Sequence, residues 1–220
     1  MAAPAGDPQG FVAPPEDERL VVTNKHGESL VGVLHHAGSN KVVVLCHGFA
    51  ASKDDSIFHD LVVALTKHGL SAFRFDFSGN GESEGEFQYG NYRAVVSYLQ
   101  EKYDVTAIVG HSKGGNVVVL YASIYGDIPL VVNISGRFYL EKGVEERLGK
   151  EFMDRINKEG YIEVRNKSAD KIVPVGDAHE FAKLIPNHKL RVIKKANHGY
   201  TSHRKELCEA VVDSVTSDEG

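Results

Sequence analysis

The stretch Val105 to Asn116 reads VTAIVGHSKGGN, and its serine sits where residue type and spacing best suit chemistry. An apolar run leads straight into Gly110-His111-Ser112-Lys113-Gly114, and a helix-length segment follows at once. A serine on so tight a strand-to-helix turn is lifted clear of the sheet edge, where its hydroxyl can attack an electrophilic carbon. The turn crowds the backbone two residues to either side, so both positions must be small. Here both are glycine, Gly110 and Gly114. The helix start adds N–H groups directed at the reaction centre. A phosphate-binding loop does not fit, because the Gly-Lys-Ser/Thr ending it needs is absent.

Such a turn needs strands and helices to hold it, and the flanking patterns supply them. RLVVTN and SLVGVLHH, separated by KHGE, read as an antiparallel hairpin. KVVVLCHG is apolar on both faces, as a central parallel strand is. From about Asp55 to Lys67, Ile57, Phe58, Leu61, Val62 and Leu65 form one helical stripe, stopped at Gly69. SAFRFDF is the next strand, and SGNGESEGE a turn-rich loop whose glycines Gly79 and Gly81 make turns and whose acids read as solvated. A helix over 91–102 leads into the strand VTAIVG. The segment Gly114 to Tyr125 is valine-rich, so burial rather than propensity must hold it as a helix. PLVVNISG is a further strand, 141–158 an amphipathic helix, VGDAHEFAKLI a helix, KLRVIKK a last strand and HRKELCEAVVDSV a closing helix. This alternation predicts an α/β protein with a mostly parallel central sheet covered by helices on both faces.

The 220 residues suffice for one sizeable core, so 19–220 is expected to be a single domain behind a proline-rich, disordered lead-in at 1–18. The net charge of -5 and the lack of a dense Lys/Arg block argue against a general nucleic-acid surface. No apolar run approaches a membrane span, and the N-terminus lacks the basic start and apolar stretch of a secretory signal. Two cysteines, Cys46 and Cys208, make no disulfide framework, which suits a cytoplasmic setting. The histidine spacing suggests no metal site, and no dinucleotide fingerprint appears, so no cofactor is expected.

Five motifs in order, LCHGFAASKDD, FRFDFSGNGESEG, VGHSKGGN, ADKIVP and ANHGY, make the chain resemble the α/β-hydrolase superfamily. Within it, the resemblance is to the small esterase, monoglyceride-lipase and serine-aminopeptidase-like branch. It implies the α/β-hydrolase fold and a nucleophile elbow centred on Ser112. His198, in ANHGY, falls at the family's base, and Asp170, two residues before VP, at its acid. The backbone amides of Phe49 and Lys113 fall at its oxyanion hole. His203 is the fallback base, His47 reads as a structural residue at a strand end, and Asp177 as a helix cap. The implied activity is cleavage of a small-molecule carboxylic ester through an acyl-enzyme. A catalytically silent scaffold that binds a small molecule or partner, and a serine peptidase, are the alternatives. Oligomeric state is not legible.

The chain departs from the family before its acid loop. The cap region is short, about 138–160, and the strand position is filled by YIEVRNK. Its alternation of Tyr161, Glu163 and Arg165 with Ile162 and Val164 suits an edge strand, not a strand covered on both faces. The junction RNKS–ADKIVP reads as two family fragments abutted. That favours a missing stretch of a few tens of residues, with one core strand lost or replaced, over a collapsed lid.

Overall fold

The computed structural model describes residues 17–88, 90, 92–140 and 173–217. Strand β1 (Glu18–Thr23) and strand β2 (Ser29–His35) form the expected antiparallel hairpin. Strand β3 (Lys41–Cys46), helix α1 (Ser56–Lys67), strand β4 (Ser71–Phe75), helix α2 (Tyr92–Gln100), strand β5 (Asp104–His111), helix α3 (Lys113–Tyr125) and strand β6 (Leu130–Ile134) follow. Helix α4 (Val175–Leu184) and helix α5 (Arg204–Thr216) come later in the chain. The sheet order is β1-β2-β4-β3-β5-β6; β2 runs antiparallel to β4, and the β4–β3, β3–β5 and β5–β6 pairs are parallel.

Strand alternation divides the core into two layers. Val42, Val44 and Cys46 of β3 face one side with Val95, Val96 and Leu99 of α2 and Val117, Val118 and Tyr121 of α3. Val43 and Leu45 face the other, against Ile57, Phe58, Leu61 and Leu65 of α1 and Leu207, Val211, Val212 and Val215 of α5. From Val42 to Cys46 β3 is apolar because helices cover both its faces. α3, poor in helix propensity, is held by the burial of Val117, Val118 and Tyr121. Asp55 caps α1 by accepting from the Ile57 N–H at 3.1 Å. Among the described residues, no helix is long and apolar enough to cross a membrane.

Two expectations are corrected. Residues 189–195 form no strand. Leu190 and Val192 are exposed, and of their apolar neighbours Ile193 packs on the layer that includes α5. Sequence alternation gives a segment the capacity to be a strand, but a strand exists only through a ladder to a neighbour, and β6 pairs with β5 alone among the described residues. Asp177 is not the cap of α4; that position is Pro174. Asp177 instead lies buried in the first turn and accepts the Phe138 N–H at 2.9 Å, tying α4 to the segment after β6. The lead-in through Glu16, nearly all of the expected cap with its helix over 141–158, the YIEVRNK segment and Asp170 lie outside the described residues.

Candidate active site at the ends of the parallel strands

Ser112 stands between β5 and α3 with φ 56° and ψ −116°, a conformation a non-glycine residue adopts only under constraint. The glycines that flank it explain how the turn closes. A Cβ on Gly110 would lie 2.1 Å from the Gly114 carbonyl oxygen, and one on Gly114 would lie 2.0 Å from that of Cys46. Both obstacles are backbone, so neither can swing away. Gly115 repeats the close approach on the other side, where a Cβ would lie 2.3 Å from the Asn133 side-chain oxygen. α3 therefore starts wedged between the ends of β3 and β6. The Ser112 N–H donates to the Ile134 carbonyl at 2.8 Å, which fixes the turn to β6.

The loop after β3 lies against this serine. A Cβ on Gly48 would sit 3.3 Å from the Ser112 Cβ, so backbone passes this serine at close to van der Waals distance. Phe49 follows, 64% exposed, with Ala50 at φ 53°. Lys113 is the first residue of α3, so its N–H has no intrahelical partner. His47 is structural, as expected. Its Nε2 accepts the Phe77 N–H at 3.1 Å, which leaves the proton on Nδ1 to donate to the Gly48 carbonyl at 2.9 Å. The ring is 1% exposed, and desolvation pushes its pKa below the ordinary histidine value.

A buried charge network secures the same loop from below. Asp76 is fully buried and accepts the Lys53 N–H at 2.7 Å, the Lys53 ammonium at 2.9 Å and the Glu82 N–H at 3.0 Å. Lys53 also meets Glu82 at 2.6 Å and Asp54 at 3.3 Å. Burial alone would lower the Lys53 pKa, but its bonds to Glu82 and Asp76 raise it overall. Arg74 donates to the Lys53 carbonyl at 3.0 Å, to the His35 ring at 2.9 Å and to Asp54. Glu82 is exposed, as expected of its loop, and it also holds the Lys53 ammonium and pairs with Arg19 at 3.0 Å. Gly79 and Gly81 are turn makers as expected, at φ 72° and 51°.

His198 is brought to the elbow through His111. The His111 Nε2–H donates to the His198 carbonyl at 2.8 Å, and the two ring centroids are 4.8 Å apart. His111 is buried with its Nδ1 lacking a hydrogen-bond partner, and desolvation pushes its pKa down, so it is a neutral donor here. Tyr200 braces the loop from its far side, its hydroxyl 2.7 Å from the Ser135 hydroxyl. His203, the alternative base, precedes α5, where its carbonyl accepts the Leu207 N–H at 2.9 Å. The described non-glycine residues with positive φ are Ala50, Ser112, Ser135, Lys195 and Tyr200. They lie after β3, after β5, after β6 and on both sides of His198. Each such conformation costs about 1–3 kcal/mol, and strain of this kind concentrates at functional sites.

His111, Tyr200, Ser135, Gly115 and the Lys53–Asp76 pair were not singled out from sequence. The one local signal was the pair of charged residues, Arg74 and Asp76, that alternate with phenylalanines in FRFDF; the others depend on tertiary contacts.

The family model described as the alpha/beta hydrolase fold matches residues 41–152, just over half of the 220. The chain belongs to the α/β-hydrolase fold family. The uncharacterized protein YfhR of Salmonella typhi is 29% identical over an alignment covering 48% of this chain and 40% of that protein. The chain therefore matches well under two thirds of that relative's length. Among solved structures, the esterase Pf2001 of Pyrococcus furiosus superposes with a TM-score of 0.76 at 22% identity, covering 93% of this chain and 94% of its own. XC6422 of Xanthomonas campestris, an α/β serine hydrolase without a lid, has a TM-score of 0.70 at 18% identity over 94% of this chain and 97% of its own. Est1E of Butyrivibrio proteoclasticus, in a structure with ferulic acid bound, has a TM-score of 0.69 at 21% identity, over 88% and 96% of the two chains. At these identities the likeness is one of α/β-hydrolase fold.

Proposed function

We propose that this chain is a serine hydrolase that cleaves carboxylic esters through an acyl-enzyme. The observation that carries the reading is Ser112, held at φ 56° between two glycines that admit no side chain, with the His198 loop hydrogen-bonded to the residue before it. Ser112 attacks the acyl carbon while the His198 imidazole takes its proton and returns it to the leaving alcohol. The amides of Phe49 and Lys113 receive the carbonyl oxygen as its charge grows, each worth about 10²–10³ in turnover. Asp170 is assigned to orient His198; losing that role costs around 10⁴ while nucleophile and base retain residual activity. Water then releases the acyl group. The esterase and serine-hydrolase names of the structural relatives agree with this chemistry.

The test is hydrolysis of p-nitrophenyl butyrate by the purified chain. Turnover that disappears in Ser112→Ala and falls by orders of magnitude in His198→Ala is the expected result. Turnover that survives Ser112→Ala overturns the assignment. One observation favours a second reading, a binding scaffold without turnover: residues 189–195, which lead to His198, do not join the sheet. A folded wild-type chain without esterase activity would select it.

A further inference from the structure

We infer that the Lys113 side chain forms a subsite for an anionic group on the ester, so that the preferred substrates carry a carboxylate or phosphate near the scissile bond. The inference rests on the esterase reading above and names its substrate class.

Lys113 directly follows the nucleophile. Its ammonium sits 3.0 Å from the centroid of the Phe87 ring and 5.5 Å from that of Phe49. The two rings hold a half-buried cation at the mouth beside Ser112. Attraction to an aromatic face is worth about 0.5–2 kcal/mol and leaves the charge itself unneutralised. Among the described residues, no carboxylate pairs with Lys113. The acids of the adjoining loops are engaged elsewhere: Asp76 and Glu82 by Lys53, Asp54 by Arg74 and Lys53, and Asp55 by the Ile57 N–H at the start of α1. The neighbouring histidine, His47, is held neutral by burial and by the Phe77 N–H that its Nε2 accepts. Desolvation lowers the Lys113 pKa, which agrees with a cation short of both water and counter-charge.

Chemistry follows from this placement. A lysine ammonium is a compact charge on a four-carbon stem with three donors, and the ring faces satisfy it only in part. An anion arriving with the substrate gives it a charge-assisted partner next to the reacting carbonyl. The exposed Phe49 ring offers the substrate's carbon chain an apolar surface on the way. A net charge of -5 repels anions in general, so the selectivity is local to this residue.

The experiment compares p-nitrophenyl hemiglutarate with the neutral p-nitrophenyl valerate for a carboxylate on the acyl side. It compares the butyryl esters of 4-hydroxybenzoate and of phenol for one on the alcohol side. For at least one pair the wild type is expected to favour the charged ester in kcat/KM by about tenfold. Lys113→Met should remove that preference and Lys113→Arg should keep most of it, with thermal unfolding checking that each variant is folded. An equal charged-to-neutral ratio in wild type and Lys113→Met for both pairs overturns the inference. A chain that hydrolyses neither member of either pair overturns the esterase reading instead. The subsite is then read by titrating monomethyl glutarate and dimethyl glutarate into Ser112→Ala. Binding of the monoanion that Lys113→Met abolishes supports the subsite. Binding that survives Lys113→Met, or no binding of the monoanion, refutes it.

Discussion

Replacing Lys53 by Met tests whether the buried charges beneath the candidate site hold the loop that carries Phe49. Asp76 has no exposed surface, and the substitution removes the ammonium at 2.9 Å while leaving the backbone donors of Lys53 and Glu82. Breaking a buried pair by removing one partner costs about 3–5 kcal/mol. The two remaining N–H bonds place this case at the low end, about 3 kcal/mol. Part of that comes from Glu82 and Asp54 only weakly, because both are half-exposed or more and such pairs are worth about 0–1 kcal/mol. For a chain of this size, a 3 kcal/mol loss lowers the melting temperature by about 6–12 °C. Urea unfolding followed by circular dichroism measures it, with Asp76→Asn and the double variant Lys53→Met/Asp76→Asn completing a cycle. The double variant should recover stability relative to Lys53→Met, because no unpaired carboxylate is left buried. A loss below 1 kcal/mol for Lys53→Met, or a strictly additive double variant, refutes this account of the loop.

Three further outcomes follow from the same geometry. Gly114→Ala should unfold the chain or displace α3 from β3, because the new Cβ would meet the Cys46 carbonyl at 2.0 Å; unchanged thermal unfolding would contradict the wedge. His111→Phe keeps a ring but loses the donor to the His198 carbonyl, so kcat should fall by about ten- to a hundredfold with KM little changed. Equal kcat in the two proteins would mean His198 is positioned by other contacts. Desolvation holds His35, His47 and His111 each below their ordinary pKa of 6.5 in the folded chain. Below about pH 6.5 the unfolded chain therefore binds more protons than the folded one, and stability falls as pH drops through the depressed values. Thermal unfolding should give a lower melting temperature at pH 5.5 than at pH 7.5, and a higher one at the acidic pH would reverse the sign of the argument.

Features written in local sequence were legible. β3 and β5 were read from the apolar runs Val42 to Cys46 and Ala107 to Val109, because burial on both faces leaves little room for polar residues. The elbow was read from Gly110 and Gly114 because the two glycines stand within five residues of each other, although the obstacle that Gly114 avoids, the Cys46 carbonyl, belongs to β3. What depends on register between distant segments was not. Lys53 and Asp76 are 23 positions apart and meet only once β3 and β4 are paired, so nothing local marks the ammonium that they and the exposed Glu82 share. Residues 189–195 have the alternation of a strand, yet alternation reports what a segment can bury and not whether a neighbour offers it a ladder. The turn at Ser112 was predicted from composition. The histidine beside it, which tethers the His198 loop, carries no signal except its contact across 87 positions.

The central claim, that Ser112 is an activated nucleophile, is tested most directly by labelling with a fluorophosphonate and locating the adduct by peptide mass spectrometry. One adduct is expected on the peptide containing Ser112, absent from Ser112→Ala and formed far more slowly in His198→Ala. A folded wild-type chain that takes up no label, or takes it up at another residue, would contradict it.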